Sequence, residues 1–511
     1  MNFKRAVIIL AWAGFAVGLF FLAKQFFPFW LKAPNLILPV PPGDQEIVWI
    51  HTSTNSATWE RFVTATHRVP GIQVDDSRAF LSSTTSIPEI ILTVPGNPHR
   101  LLIRWYKLTA VTKNPQIIDA LAKRQPAPLA IIGGGSTDRA VDLANTLASC
   151  KIWKGVAPLL LMTTATGVEI PGGTNHILDP EKDNFSTPAP RLMQIYPGRS
   201  FRFCFTNEQI ARAVLDFVWE THMIGNNTLD LVPHSDSKDT PIMFSVAWED
   251  DPYSTDLSEY FRRIVRSRET PLQIKHQNLP YSVGSYNVAT HWEAEAATQI
   301  AQQLPLGKEY RSLLVIPTTA PPARRLLKSL RDQVPLVGKS LIAVNGDGIA
   351  FNVFYRDADI AWPIRDLSIP FVFFMHQNPV AWDEEDSPIN PDSESSPTKK
   401  KPSSSDFLKL LPPNSTEDVL LFADMLQRLT TSIFTEDNDI IRSADQLRTK
   451  LHDKNNVWFN NDGDRIGGSG EYIGVVLPEF DQEGRIAPQA IIQVWRRQES
   501  LTWELIKTLK R

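Results

Sequence analysis

Hydroxyl-bearing side chains follow two apolar runs of the sequence, in positions where they could bind a ligand. The first run, Leu129–Ile132, ends in three glycines, and Ser136 comes directly after them. The second run, Pro158–Met162, leads straight into Thr163–Thr166. If both runs are buried parallel strands, these hydroxyl groups lie at the carboxyl ends of strands, where open α/β sheets bind ligands. Ser136 has a second interpretation, because serine is also a common cap for a helix N-terminus.

Other motifs that resemble chemical sites fail on spacing. Gly133–Gly135 lacks the Gly-x-Gly-x-x-Gly pattern of a dinucleotide loop. Val337–Ser340 looks like the end of a phosphate-binding loop, but Gln333 stands where the first glycine is required. A calcium loop at Asn460–Asp464 would need a carboxylate where Trp458 stands, so a β-turn is the better interpretation. The sequence therefore predicts no cofactor, no metal ion and no enzymatic activity.

The glycine turn and the threonines belong to a series of alternating strands and helices. Apolar residues recur at helical spacing from Ala140 to Ala148, and Asp138 lies in the first turn, where the helix dipole favours a carboxylate. Thr206 and Gln209 form a capping box for a later helix. That helix has the apolar stripe Ile210, Val214, Phe217 and Val218. The other elements predicted before residue 220 are the strands Glu46–Ile50, Leu101–Tyr106 and Phe201–Phe205 and the helices Ala57–Thr66 and Pro115–Arg124. Such repeats predict a parallel sheet covered by helices.

A second series begins after a polar, helix-poor break at Gly225–Asp239. Its predicted strands are Pro241–Ala247, Leu313–Ile316, Leu341–Val344, Phe371–Phe374, Glu471–Leu477 and Ala490–Trp495, and its predicted helices are Pro322–Asp332, Glu417–Phe434 and Ala444–His452. The whole pattern predicts an α/β protein with two Rossmann-like lobes joined by a hinge. We assign residues 46–237 and 407–455 to the first lobe and residues 238–382 and 456–511 to the second.

Residues 1–45 are predicted to be a membrane anchor followed by a spacer. Ala6–Ala23 is uncharged, mostly apolar and long enough to span a bilayer. No Ala-x-Ala-like processing site follows it, which favours an uncleaved single-pass anchor over a signal peptide. Lys4 and Arg5 favour a cytoplasmic amino terminus, so the globular part is expected outside the cytoplasm, in the periplasm or the exterior. We interpret Pro34–Pro42 as a proline-rich spacer.

Composition sets limits on the class of protein. The chain has 511 residues, of which 42% are apolar and 21% charged, so it can build a large core. Its net charge of −4 gives no basic field, which argues against a nucleic-acid partner. Cys150 and Cys204 neither require nor exclude a disulfide, and we expect two buried free thiols. Residues 383–406 are rich in acidic residues, proline, serine and lysine, and are predicted to be a disordered insertion.

Several of these motifs, in this order, resemble the type I periplasmic binding proteins, the amino-acid-binding receptors of ABC transporters and related receptor ectodomains. That family has a strand, a Gly-x-x-Ser-Ser turn into a helix, an Ala-Thr pair after the next strand, and Phe-Arg at the start of another strand. Gly134–Ala140, Ala165–Thr166 and Phe201–Arg202 match this order. Ala247–Leu257 resembles the acidic turn and Asp-x-Tyr-Gly segment that open the second lobe. The resemblance covers residues 46–495, more loosely before residue 129.

The resemblance implies a small-molecule site between the lobes. In relatives, the turn serine and the Ala-Thr threonine hold the ligand carboxylate, whereas a strand-end carbonyl and an acidic residue of the second lobe hold its ammonium group. A tyrosine closes over the ligand. The matching positions here are Ser136, Thr164, Ala165, Thr166, Tyr253 and Asp347. A hydroxyl and backbone amides at a helix N-terminus suit an anion, and a strand-end carboxylate suits a cation. Ser136 and Thr166 also have a structural interpretation as caps, Asp347 as a turn residue and Tyr253 as a packing residue at a helix start.

One departure affects the expected ligand. Relatives carry aromatic residues where this chain has Pro317–Pro322, so the side-chain pocket is altered. We therefore predict a membrane-anchored, two-lobed protein that binds an amino acid or a related zwitterion by hinge closure. Its partner would be a transporter permease or a signalling protein. The alternative is a ligand-free scaffold or interaction protein of the cell envelope that keeps the fold and has lost the pocket.

Overall fold

The computed structural model describes residues 37–81, 83–170, 191–220, 223–224, 227–228, 241–268, 272–285, 288–304, 306, 311–349, 351–355, 369–378, 416–435, 437–453, 458–466, 470–480, 486–498 and 502–510. The predicted anchor and the predicted insertion at 383–406 lie outside these ranges. Within the described part of the chain, no helix is long and apolar enough to cross a membrane.

The first lobe is built on a seven-stranded sheet. Its strands are β1 (Gln45–Thr52), β2 (Gln73–Arg78), β3 (Glu89–Thr93), β4 (Leu101–Leu108), β5 (Ala130–Gly133), β6 (Leu159–Met162) and β7 (Ser200–Arg202). They lie in the order β2-β3-β4-β1-β5-β6-β7. From β4 to β7 all neighbours are parallel, whereas β2 and β3 add an antiparallel edge beside β4. The strands β5 and β6 are buried throughout, as strands covered on both faces must be.

The second lobe is built on an eight-stranded sheet. Its strands are β10 (Ile242–Trp248), β11 (Gln273–Leu279), β12 (Ser312–Val315), β13 (Leu341–Val344), β14 (Phe371–Met375), β15 (Tyr472–Phe480), β16 (Ile486–Arg497) and β17 (Trp503–Lys510). Their order is β11-β10-β12-β13-β14-β15-β16-β17, parallel up to β14 and antiparallel beyond it. A separate pair, β8 (Met223–Ile224) and β9 (Asn227–Thr228), lies between the two series in the chain.

Helices cover both faces of both sheets. Among the described residues they are α1 (Ser56–Thr66), α2 (Asn114–Ala122), α3 (Thr137–Ser149), α4 (Asn207–Glu220), α5 (Pro252–Ser267), α6 (His291–Gln303), α7 (Ala320–Gln333), α8 (Asn352–Tyr355), α9 (Thr416–Ile433) and α10 (Ala444–Leu451). Helices α1, α9 and α10 pack on one face of the first sheet, and α2 and α3 on the other. On the second sheet, α4 and α5 cover one face and α6 and α7 the other.

The helix α4 differs from the predicted division of the chain. It lies within the range assigned to the first lobe, yet its apolar stripe packs against the second sheet. Phe217 contacts the rings of Trp495 and Trp503, and the carboxylate of Asp216 is paired with Arg268 and Arg497. The chain therefore crosses to the second lobe directly after β7, because the apolar face of α4 is completed only there.

In the part of the chain that the structure describes, there are three crossings between the lobes: after β7, after β14 and before β15. The first and third crossings are bonded together: Arg202 N–H donates to the Gly463 carbonyl at 2.9 Å, and Arg465 donates to the Phe203 carbonyl at 2.8 Å. The first and second crossings meet where Phe205 N–H contacts the His376 ring. We call residues 203–207, 376–378 and 458–466 the hinge segments.

Most predicted elements are confirmed within a few residues of their ends. The capping box is also confirmed, since Thr206 N–H donates to Gln209 Oε1 at 2.8 Å and Gln209 N–H to Thr206 Oγ1 at 3.2 Å. Both cysteines are free, and Cys204 is buried whereas Cys150 is partly exposed. The predicted strand Phe201–Phe205 is shorter in the structure, because its last residues leave the sheet to form the first crossing.

Two further predictions need correction. Ser136 occupies the N-cap position of α3, but its side chain makes no capping hydrogen bond. The proline-rich segment is not simply a spacer either. Leu38 and Pro39 are bonded to the first lobe through Arg104, Arg124 and Tyr106.

Candidate functional site

Each sheet has one place where successive connections depart in opposite directions. In the first sheet, β1 has β4 as its neighbour on one side and β5 on the other. In the second sheet, β10 has β11 on one side and β12 on the other. Loops diverge at such a switch point and leave a crevice at the carboxyl ends of the strands. The crevices are bordered by residues 52–55 and 134–136 in the first lobe and by residues 249–251 and 316–319 in the second.

The two crevices face one another. Helix α3 starts at the carboxyl end of β5, and α5 starts at the carboxyl end of β10; the two helices contact each other. The charge of Asp138 in the first turn of α3 acts on Asp251 at the N-cap of α5. The carboxyl edges of both sheets therefore border a common gap, which we call the cleft.

The first-lobe side of the cleft is a tightly packed glycine turn. Gly134 has φ +70°, and a side chain there would overlap Ala140 in α3. A side chain at Gly135 would come within 2.9 Å of His51 Nε2. Thr164 Oγ1 donates to the Gly135 carbonyl at 3.0 Å and holds the turn against β6. Ser136, at the end of this turn, keeps its hydroxyl free of any capping role.

The predicted first-lobe residues separate into two groups. Ser136 and Thr164 are partly exposed, whereas Ala165 and Thr166 are buried. The Thr166 carbonyl already accepts hydrogen bonds from Arg202 at 2.8 Å and from Asn207 N–H at 2.9 Å. Ser136 and Thr164 are consequently the residues of this set that lie at the cleft surface, and Thr166 helps to fasten the hinge.

The structure brings Tyr253 and Asp347 together on the second-lobe side. The Tyr253 hydroxyl accepts a hydrogen bond from Gly348 N–H at 3.0 Å, directly after Asp347, and the charge of Asp347 acts on it. Gly346 permits this approach, since a Cβ there would overlap the Tyr253 hydroxyl and Leu257. Burial, reinforced by the charge of Asp347, raises the pKa of Tyr253 well above its usual value. Tyr253 therefore stays protonated and supports the turn that carries Asp347.

Asp347 has a second partner that the sequence analysis missed. Its Oδ2 lies 2.8 Å from His376 Nε2, and His376 is buried at the end of β14. The other ring nitrogen, Nδ1, accepts from Phe205 N–H at 3.4 Å. A single histidine after an apolar strand has no spacing motif, so only the fold identifies it.

Acidic groups dominate the electrostatics of the cleft. Burial, with the charges of Asp250 and Asp138 adding to it, raises the pKa of Asp251 to about 6. On the first-lobe side, burial and the nearby Arg139 lower the pKa of His51 to about 4, so this imidazole is neutral at pH 7. The balance of charge favours a cationic group on the second-lobe side of the cleft.

Helix α5 also holds the two lobes together beside the cleft. Asp256 Oδ2 accepts from Val168 N–H of the first lobe at 3.2 Å and from Asn207 Nδ2 at 2.7 Å. Arg263 makes a bidentate pair with Glu169 at 3.0 and 3.1 Å. Burial raises the pKa of Asp256 to about 6. The lobes are therefore joined by polar contacts as well as by the chain.

The segment Pro317–Pro322, whose first residues border the second-lobe crevice, also begins a helix. Its last two prolines lie in the first turn of α7, where proline costs no helix hydrogen bond. Thr318 is buried, and its carbonyl accepts from Asn345 Nδ2 at 2.9 Å. The prolines thus serve to start a helix at the end of β12.

Six sequence-predicted residues are distributed over both sides of the cleft. Tyr253 meets Asp347, and Thr164 holds the turn that precedes Ser136. Among the described residues, no hydrogen bond joins Ser136 to Asp347. His51, Asp251, Asp256 and His376 were not among the predicted site residues. Asp256 and His376 gain their partners only from the packing of distant segments.

Comparisons with known proteins give structural neighbours alone. Neither a protein-family model nor a curated protein sequence matches the chain. One similar structure is a leucine-binding protein from Thermotoga maritima, with a TM-score of 0.45 and 12% identity over 91% of this chain and 98% of that one. Another is an ABC transporter substrate-binding protein from Desulfitobacterium hafniense in complex with Leu, with a TM-score of 0.46 and 13% identity over 87% and 99% of the two chains.

A third is an R. palustris solute-binding protein in complex with benzoate, with a TM-score of 0.41 and 10% identity over 91% of this chain and 96% of that one. The second and third of these structures are a substrate-binding and a solute-binding protein of ABC transporters.

Proposed function

We propose that this chain is an extracytoplasmic receptor that binds a small molecule between its lobes and closes on it by hinge motion. The observation that carries the proposal is the strand order. Both sheets have their switch points at carboxyl edges that border the same cleft. A molecule in the cleft would contact both lobes at once, and it would stabilise a closed state by those contacts that the open state lacks.

The chemistry of the two sides suits a zwitterion. The Ser136 hydroxyl and the backbone amides in the first turn of α3 can both donate to a ligand carboxylate. Asp347 offers a carboxylate to an ammonium group, and the neighbouring acidic residues of the second lobe support a cation there. We therefore propose an amino acid or a related molecule as the ligand, with Ser136 and Thr164 on one side and Asp347 and Tyr253 on the other.

We also propose that residues 1–32 hold the receptor in the cytoplasmic membrane. The spanning length of the apolar run Ala6–Ala23 and the lack of a processing site after it support this. A transporter permease or a signalling protein would then read the closed state. Intact-mass analysis of the mature protein tests the anchor, because a form that begins after residue 23 would contradict it.

The site can be tested with the full chain in detergent micelles. A thermal-shift screen of amino acids and small anions supplies a hit, and calorimetric titration then compares the wild type with Asp347→Ala and Ser136→Ala. A charge-assisted hydrogen bond contributes about 1.5–3 kcal/mol, so Asp347→Ala should weaken binding by roughly one to two orders of magnitude. Ser136→Ala should weaken it less, because the helix amides remain.

Ser443→Ala is a matched control. Ser443 caps α10 in the first lobe and accepts from Gln446 N–H, so its loss should lower stability by about 1 kcal/mol and leave binding unchanged. Ser136→Ala should show the opposite pattern, since Ser136 makes no capping bond. Unchanged affinity in both cleft variants would remove the site assignment. No hit in the screen would favour the ligand-free scaffold.

A further inference from the structure

His376 has both ring nitrogens engaged, and one partner decides where the ring proton lies. Phe205 N–H points at Nδ1, 3.4 Å away. A backbone amide can only donate, so Nδ1 is the acceptor and carries no proton. The ring proton of the neutral imidazole is then on Nε2, which lies 2.8 Å from Asp347 Oδ2. His376 is therefore a neutral donor to Asp347.

A neutral donor orients Asp347 without cancelling its charge. An imidazolium would form an ion pair with the carboxylate and compete with any cationic ligand. A neutral Nε2–H leaves the full negative charge on Asp347, and the Tyr253 hydroxyl supports the turn that carries it by accepting from Gly348 N–H. The nearby Glu417 does not supply this negative charge in place of Asp347, because burial raises the pKa of Glu417 well above its usual value. Asp347 is thus a prepared acceptor for a cation.

His376 belongs to the second hinge segment and contacts the first. Its ring stacks on Phe205 of the first crossing, with an interplanar angle of 14°. Its backbone N–H donates to Glu417 Oε1 at 2.8 Å, where the chain enters α9 of the first lobe. Phe205 in turn lies under the guanidinium group of Arg465, which belongs to the third crossing, 4.3 Å from the ring centre. A shift of the His376 ring would therefore change packing contacts at all three crossings.

We propose that His376 is a positioning residue that links the cleft to the hinge. It holds Asp347 as a charged acceptor through Nε2–H and couples the position of that carboxylate to the hinge segments through Phe205. When a ligand ammonium group draws Asp347 into the cleft, the His376 ring follows and its stacking on Phe205 changes. The role of the ligand rests on the proposed function, but the tautomer and the coupling are properties of the protein alone.

The tautomer is tested by ¹⁵N NMR of the full chain labelled at histidine. His376→Gln identifies the His376 signals by their loss among those of the ten histidines. The expected spectrum shows an unprotonated Nδ1 and a protonated Nε2. It should persist in Asp347→Asn, because the Phe205 amide sets it. A protonated Nδ1, alone or together with Nε2, would overturn the proposal.

The coupling is tested by the distance between spin labels on the two lobes. Val111 and Val283 are 83% and 82% exposed, on the first and second lobe respectively, and Cys150→Ser removes the partly exposed native thiol. Asp347→Asn should shift the label separation in the wild-type background and have little effect in His376→Gln. Additive shifts of the two substitutions would overturn the coupling. Because no ligand is added, this result is independent of whether the proposed receptor function holds.

Discussion

Two carboxylates at the start of α5, the partly buried Asp251 and the buried Asp256, determine how this region responds to pH. Burial raises the pKa values of Asp251 and Asp256 from 3.8 to about 6. For an acid whose pKa is higher in the folded state, the stabilisation is complete below the unfolded pKa and is lost as the pH rises through the folded one. Both groups should therefore make the protein less stable at pH 7 than at pH 4.5.

Asp256→Asn should remove its part of this pH dependence. Asparagine stays neutral and its side-chain oxygen can still accept from Asn207 and Val168. A pKa raised from 3.8 to about 6 corresponds to about 3 kcal/mol at most, so the variant should be more stable than the wild type by up to that amount at pH 7.5 and similar at pH 4. Thermal unfolding between pH 4 and 7.5 measures this. Asp119→Asn, at an exposed site, is the control, and parallel curves for Asp256→Asn and wild type would contradict the prediction.

At the residue scale, site residues could be predicted when their position depends on neighbouring sequence. They could not be predicted when their position depends on tertiary contacts. Ser136 and Thr164 were predictable because they directly follow apolar strands. His376 and Asp256 were not, since their partners lie 29 residues or more away in the chain. Asp347 was predicted as a strand-end carboxylate, but its pairing with His376 could not be.

At the element scale, the turn before β15 connects the third crossing to the first lobe. Asn460 Oδ1 accepts from Asp462 N–H and Asp464 N–H, which forms the predicted turn. Gly463 stands at φ +90° with its α-carbon against β7, where a side chain would overlap the Ser200 carbonyl. This close approach lets Arg202 N–H reach the Gly463 carbonyl.

Gly463→Ala and Gly470→Ala separate close approach from backbone conformation. Both glycines have φ near +90°, but nothing lies within 4 Å of a Cβ at Gly470. Gly470→Ala should therefore cost about 1 kcal/mol from the left-handed conformation alone. Gly463→Ala should cost clearly more, because β7 or the turn must move. Denaturant unfolding of both variants provides the comparison, and equal losses would show that the turn does not need its contact with β7.

Some buried strands were recognisable in the sequence and some polar edge strands were not, although the interior strand β3, with the sequence EIILT, was also missed and the edge strand β7 was predicted. The strands β5, β6 and β13 are continuous apolar runs. The missed strands β2 and β11 have the polar sequences QVDDSR and QIKHQNL and lie at sheet edges. An edge strand pairs on one side only, and polar residues there oppose association with other chains, so the apolar signal is weak.

At the scale of the whole molecule, the amino-terminal segment is fastened to the side of the first lobe opposite the cleft. Glu46 is the second residue of β1, and Arg104 and Arg124 pair with its buried carboxylate. The same two guanidinium groups donate to the carbonyls of Leu38 and Pro39. Because β1 runs from this cluster towards the cleft, the first lobe would be held with its crevice facing away from the proposed anchor.

Arg124→Ala should loosen this attachment. The buried Glu46 carboxylate keeps Arg104 as a partner, so the loss of stability should be smaller than the about 3–5 kcal/mol that is typical when a buried charge is left unpaired. A nitroxide at residue 39, in the full chain in lipid nanodiscs with Cys150→Ser, should report slow motion with the lobe in the wild type. Arg124→Ala should add a fast component. Lys123→Ala is the control, because the neighbouring Lys123 is 60% exposed and pairs only with Asp119 on the same helix among its described contacts.

Fast motion of the nitroxide at residue 39 in the chain without Arg124→Ala would mean that residues 37–40 are a flexible spacer. A slow label would make the first lobe the fixed lobe and the second the moving one. The direction of hinge motion would then be defined relative to the membrane, since the tether reaches the first lobe within a few residues of the predicted anchor. With the first lobe fixed to the anchor, closure of the proposed receptor would move the second lobe relative to the membrane. A partner protein in the same membrane could detect that displacement.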